Sequence, residues 1–129
     1  MSRDPNVERR IELAEALLTS AEHSSEAEIR NSLSRMYYAI YHLATAAVGS
    51  MAHGEFAASL DQIESGLGAR FKRFEDLRSR ADYHPDFVVQ EFGDYRSMRA
   101  AFPALLQEGR ELYERLLELV NQNAESSAS

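Results

Sequence analysis

Asn31-Ser-Leu-Ser-Arg35-Met-Tyr-Tyr-Ala-Ile40-Tyr-His-Leu-Ala-Thr-Ala-Ala47 is the stretch whose reading decides the fold. With its flanks it places Ile29, Leu33, Met36, Tyr37, Ile40, Tyr41, Ala44, Ala47 and Val48 at intervals of three and four. That is the period of one helix face. The apolar stripe is wide, so the segment reads as the central helix of a helical protein. Ser24 or Ser25 opens it, Glu26 and Glu28 fall in its first turn, and Gly49 and Gly54 bracket its end.

The same period extends to both sides. Asp4 is the expected cap and Pro5 the first-turn residue of an earlier helix. Its stripe is Val7, Ile11, Ala14, Leu17, Leu18 and Ala21, and it should end around Glu22–Ser25. A third helix, about Glu55 to Gly66, shows Phe56, Leu60, Ile63 and Leu67 on one face, with Gly66 and Gly68 as breaks. A fourth, Ala69 to Tyr83, carries Phe71, Phe74, Leu77 and Ala81. Pro85 ends it, because the residue before a proline is pushed out of the helical region. A loop with a short turn runs to Gly93.

The last helix spans about Asp94 to Asn121. Its stripe is Met98, Ala101, Phe102, Leu105, Leu106, Leu112, Tyr113, Leu116, Leu117 and Val120. Pro103 should kink it and Gly109 weaken it. No segment alternates with period two. The fold class is therefore all-α: an antiparallel up-and-down bundle of four main helices plus a short one. One domain covers residues 1–121, and the small polar stretch 122–129 is expected to be a fraying tail.

The chain has 129 residues, room for one domain and hardly for two. Its net charge is -7, from 21 acids against 14 cations, which argues against a general nucleic-acid coat. Cysteine is absent, so disulfides, cysteine zinc sites, iron–sulfur clusters and thiol catalysis are excluded. No stretch has signal-peptide or membrane-spanning length, and the expected location is cytoplasmic. The histidines His23, His42, His53 and His84 lack two-ligand spacing, so neither metal nor cofactor is expected. Gly66-Leu-Gly68 follows no strand and lacks the phosphate-loop lysine; it reads as a helix stop.

Charge is unevenly placed. Residues 70–80 hold five cations (Arg70, Lys72, Arg73, Arg78, Arg80) against Glu75 and Asp76, a local balance of +3. One reading is an exposed helix face laced with ion pairs. The other is an anion-facing stripe of RNA- or phosphate-binding residues, with Arg35 of the central helix projecting toward the same end. Arg78 and His84 stand at the end of the stripe with five residues between them. Arginine holds phosphate and stabilises charge that builds on it, and histidine transfers protons near neutral pH. Together they suit metal-free RNA cleavage by the 2′-hydroxyl. His84 is equally placed to be a C-terminal helix cap. Tyr37, Tyr38 and Tyr41 read as a core with hydroxyls at its rim.

The stretch 31–47, followed by Leu77-Arg-Ser-Arg-Ala-Asp-Tyr83, resembles the HEPN domain family over roughly residues 8 to 120. The closest likeness is to a small bacterial branch with a Tyr-Tyr-Ala-x-Tyr-His helix and a later Arg-x-x-Ala-Asp-Tyr. The resemblance implies a helical bundle, a homodimer, and in catalytic members a metal-independent ribonuclease site shared across the dimer. Arg78 and His84 fall in the family's Arg–His window. On that basis the catalytic residues are Arg78 and His84, with Asp82 and Tyr83 orienting the site and Arg35, Arg70, Lys72, Arg73 and Arg80 guiding RNA. Asp82 is also placed to pair with an arginine such as Arg35. Such members act as toxins or defence effectors. Others are non-catalytic nucleotide- or partner-binding modules, some paired with a nucleotidyltransferase-type antitoxin. Where toxins carry Asn, Asp or His after the motif arginine, this chain has Ser79. Where some carry a tyrosine two residues past the histidine, it has Asp86.

Overall fold

The computed structural model describes residues 4–20, 26–51 and 53–128. They form six helices: α1 (Pro5–Ser20), α2 (Glu26–Val48), α3 (His53–Ile63), α4 (Leu67–Tyr83), α5 (Phe87–Phe92) and α6 (Tyr95–Ala128). No strand occurs among the described residues, so the class is all-α. No described helix is long and apolar enough to cross a membrane.

Helix α2 is central. It packs against α1, α3, α4 and α6, and it buries Ile29, Leu33, Met36, Tyr37, Ile40 and Leu43 almost completely. Each such side chain contributes about 1.5–3 kcal/mol on leaving water, and that burial is what holds the other helices to this one. The rest of the core comes from Phe56 and Leu60 of α3, from Phe71, Phe74 and Leu77 of α4, and from Met98, Leu112 and Leu116 of α6. A run of ring contacts ties three helices together: Tyr41 to Phe56 at 5.4 Å, Phe56 to Phe71 at 5.5 Å, and Phe71 to Tyr37 at 5.7 Å between centroids.

Several boundaries follow the local chemistry. Asp4 caps α1: its carboxylate accepts from the Asn6 amide at 2.7 Å and its carbonyl from the Glu8 amide at 2.9 Å. The expected end of the first helix, the start of the second at Ser24 or Ser25, and His23 lie outside the described residues. Gly66 precedes α4 at φ 89, a left-handed conformation that glycine adopts without a Cβ clash. His84 ends α4 in an extended conformation, as Pro85 demands.

Four details differ from the sequence expectation. Helix α4 starts at Leu67, two residues early, so Gly68 lies inside its first turn. The Gly68 amide is capped by the Asp61 carboxylate at 2.7 Å, and α3 comes so close that a Cβ at this glycine would sit 2.0 Å from the Ala57 carbonyl. Ile63, assigned to a buried face, is 46% exposed at the end of α3. The connection after Pro85 contains a true helix, α5, with Phe87 and Val88 buried. Helix α6 continues through Pro103 and on to Ala128, past the expected end at Asn121. No glycine or proline follows Asn121 to stop it.

Candidate functional site

Arg78 is the hub of the polar surface where α4 meets α2. Its Nη2 donates to the Tyr38 hydroxyl at 2.5 Å. Its Nε lies 3.1 Å from the Asp82 carboxylate, one turn on along α4. This is an ion pair by distance, but the N–H direction misses hydrogen-bond geometry, and Nε is buried without a hydrogen-bond partner. The guanidinium carbon sits 5.7, 5.1 and 5.7 Å from the ring centres of Tyr37, Tyr38 and Tyr83. A charge-assisted bond, a carboxylate and three ring faces therefore fix one guanidinium. Its side chain keeps 19% of its exposure, on the wall of a cavity of about 410 Å³ shared with Tyr38, Lys72 and Ser79.

The carboxylates around it are spoken for. Asp82 also accepts from the Ser34 hydroxyl at 3.3 Å. Its arginine partner is thus Arg78, on its own helix. Glu75 accepts from the Tyr37 hydroxyl at 3.3 Å and from Lys72 at 3.1 Å. Burial first, and then the Glu75 carboxylate, push the Tyr37 phenol well above the usual tyrosine range, so it remains a donor. Glu75 and Asp76 in turn hold Lys72 in its charged form.

The remaining cations of residues 70–80 do not form one stripe. Arg73 pairs with Glu108 of α6 at 3.0 Å, and Arg70 lines a small cavity with Arg73, Glu108 and Glu111. Arg80 pairs with Glu91 of α5. Lys72 shares a cavity with Arg78, and Glu75 and Asp76 line it with them. Arg35 lies on α2 in a separate cavity of about 410 Å³, with Asn31, Ser34, Tyr38 and His42. The anion-facing stripe is thus spread around α4, and much of it engages acids on neighbouring helices.

Of the proposed catalytic set, Arg78, Asp82 and Tyr83 come together. Tyr83 is 69% exposed, with its ring against the guanidinium. His84 is the C-cap of α4: its amide donates to the Arg80 carbonyl at 2.9 Å. Its imidazole is exposed, and no hydrogen bond or ion pair joins it to the other three among the described residues.

Two features escaped the sequence reading. Arg30 of α2 donates to the carbonyls of Ala81 (2.9 Å), His84 (3.1 Å) and Pro85 (2.9 Å), with its guanidinium 5.4 Å from the Phe87 ring centre. The Ala81 carbonyl lies in the last turn of α4, where Pro85 has no amide to offer it, and the His84 carbonyl also accepts from the Phe87 amide at 3.1 Å, so Arg30 ties the end of α4 to the residues that follow and fixes where His84 stands. Arg10 of α1 donates to Nδ1 of His42 at 3.1 Å. Burial first, and then the Arg10 charge, lower the His42 pKa, so its neutral form keeps the proton on Nε2. Both contacts join residues more than thirty positions apart, which local spacing does not report.

Among the described residues no group of three or more His, Asp or Glu side chains is placed to hold a metal ion. Chemically, the site offers a fixed cation for an anionic group, with an exposed imidazole at the end of the same helix. Comparison with protein-family models, curated proteins and solved structures finds no match.

Proposed function

We propose that the chain is a HEPN-type, metal-independent endoribonuclease, an antiparallel helical bundle that works as a homodimer in the role of a toxin or defence effector. The observation that carries this reading is the fixed Arg78 guanidinium, set against Tyr37, Tyr38 and Tyr83 beside a cavity, on the same helix end as an exposed histidine. Arg78 grips the scissile phosphate and stabilises the charge that grows on it in the transition state. A His84 imidazole takes the proton from the 2′-hydroxyl as its oxygen bonds to phosphorus. The phosphorus bond to the 5′-oxygen breaks, and a second His84 supplies that oxygen's proton. The products are a 2′,3′-cyclic phosphate and a 5′-hydroxyl. Because one chain does not bring its own imidazole to Arg78, the reading requires two copies facing each other.

A second reading is favoured by a specific observation. Arg78 already donates to Tyr38 and pairs with Asp82. A cation so engaged suits a non-catalytic module that binds a nucleotide or a partner protein, including a nucleotidyltransferase-type antitoxin.

Incubation of RNA with wild-type, Arg78→Ala and His84→Ala protein, with EDTA throughout, separates the two. The nuclease reading expects cleavage by wild type only, and a dimer in sedimentation. Intact RNA in every lane, with nucleotide or partner binding that survives His84→Ala, overturns it in favour of the binding module.

A further inference from the structure

Three cavities lie end to end across α2. The first is the Arg78 cavity, with Tyr38 in its wall. The second shares Tyr38 and reaches Arg35 and His42. The third, about 610 Å³, shares His42 and opens between α1 and the C-terminal half of α2, with Val7, Arg9, Arg10, Leu13 and Ala46 in its lining. Asn31, Ser34, Arg35, Tyr38 and His42 recur at threes and fours, so they form one polar face of α2. That face joins a cavity walled by α4 at one end to a cavity walled by α1 at the other, and the three together form a trough.

The trough carries a small cationic excess in a chain of net charge -7. Five cations line it (Arg9, Arg10, Arg35, Lys72 and Arg78); Glu75 and Asp76 pair with Lys72, Asp82 pairs with Arg78 and Glu12 with Arg9, which leaves an excess of one. A ring stands at each junction between cavities. Tyr38 and His42 lie four residues apart, about 6 Å along the helix. Arg10 spends one donor on His42 Nδ1, and a guanidinium carries five.

Arginine forks grip phosphates, and rings between them offer stacking faces to unpaired bases. A paired duplex keeps its base faces covered and cannot use such rings. We infer that the trough is the path of a single RNA strand, running from Arg78 over the polar face of α2 to Arg10, with bases stacked on Tyr38 and His42 and phosphates held by Arg35 and Arg10. This rests on the reading of Arg78 as an RNA-phosphate contact, and it extends that site to a helix the Arg–His motif does not touch.

Fluorescence anisotropy with a 2′-O-methyl RNA hexamer, which cannot be cleaved through the 2′ position, tests the path. Six nucleotides fall within the ~4–16-nucleotide site sizes of single-strand grooves. Wild type should bind the hexamer well above uridine monophosphate. Arg10→Gln should weaken hexamer binding by about tenfold and reduce the salt slope by about one, leaving the monophosphate unchanged. Arg35→Gln should do the same, and it answers the question if Arg10→Gln proves unstable. Hexamer affinity unchanged in both variants, with Arg78→Ala abolishing it, overturns the path and leaves the Arg78 reading standing. A wild type that binds no hexamer overturns both. A double-stranded hexamer bound as well as the single strand also overturns the path.

Discussion

The guanidinium of Arg30 donates to the carbonyl of His84 across 54 positions of sequence, at 3.1 Å. With its bonds to Ala81 and Pro85, this one α2 side chain closes the end of α4. Arg30→Ala takes the side-chain donor from the Ala81 and Pro85 carbonyls, leaves His84 only the Phe87 amide, and removes the cation from the Phe87 ring. Water reaches part of this region, so the expected cost is about 1–3 kcal/mol. A thermal melt followed by circular dichroism should show a drop of several degrees. A melting temperature equal to wild type contradicts the clamp.

Tyr38 serves Arg78 through its hydroxyl and its ring. Tyr38→Phe keeps the ring and removes the acceptor. If Arg78 acts on RNA, losing one charge-assisted bond should lower kcat/KM by about tenfold, equivalent to about 1.4 kcal/mol. The melting temperature should change far less than in Arg30→Ala. Full activity in Tyr38→Phe would place the orienting role elsewhere.

Two glycines make predictions of different size from the same substitution. A Cβ at Gly68 meets the Ala57 backbone carbonyl at 2.0 Å, which moves only if α3 moves. A Cβ at Gly109 meets the Met36 sulfur at 2.0 Å, the pliable end of a flexible side chain. Replacing a mid-helix glycine with alanine also gains up to about 1 kcal/mol of propensity. Gly68→Ala should therefore destabilise by at least about 1–3 kcal/mol, and Gly109→Ala should cost clearly less. Chemical denaturation of both reads the difference, and a reversed order refutes the close approach of α3 to α4.

His42 makes stability depend on pH with a definite sign. Burial and Arg10 lower its pKa in the folded protein, so the unfolded chain takes up the proton more readily. The group's contribution is complete above the unfolded value of about 6.5 and is lost as pH falls from there through the lower folded value. Urea midpoints should fall from pH 7 to pH 5, and the fall should be shallower in His42→Gln. Parallel curves for the two proteins would show that His42 is not held neutral.

What was legible in the sequence is what rests on spacing. The stripe of α2, the Asp4–Pro5 start and the Pro85 stop all appear where local rules put them, because each depends on a few neighbouring residues. The Arg78–Asp82 pair has one-turn spacing too, yet the sequence reading paired Asp82 with an arginine such as Arg35 of the neighbouring helix. Gly68 misled because a glycine reads locally as a break, whereas here it makes room for Ala57. Ile63 has helical spacing but falls where α3 ends and stays half exposed. Arg30 on the α4 terminus, Arg10 on His42 and Arg78 on Tyr38 are decided by how helices dock. Charge counting also overstated the stripe of residues 70–80, because it ignored the acids that α5 and α6 bring to Arg80 and Arg73.

Helix α1 lies against α2 and has little contact with any other described helix, whereas α4 is held by α2, α3 and α6 together. The two walls of the trough therefore belong to parts of the protein with different resistance to local opening. Amide protons of α1 should exchange with solvent through an excursion that leaves the α2–α4–α6 core closed, and so sooner than those of α4. A strand bridging Arg78 and Arg10 would bind that loose wall to the firm one. It would slow exchange in α1 most, so protection of a helix remote from the Arg–His motif becomes a measure of how far along the molecule the ligand extends.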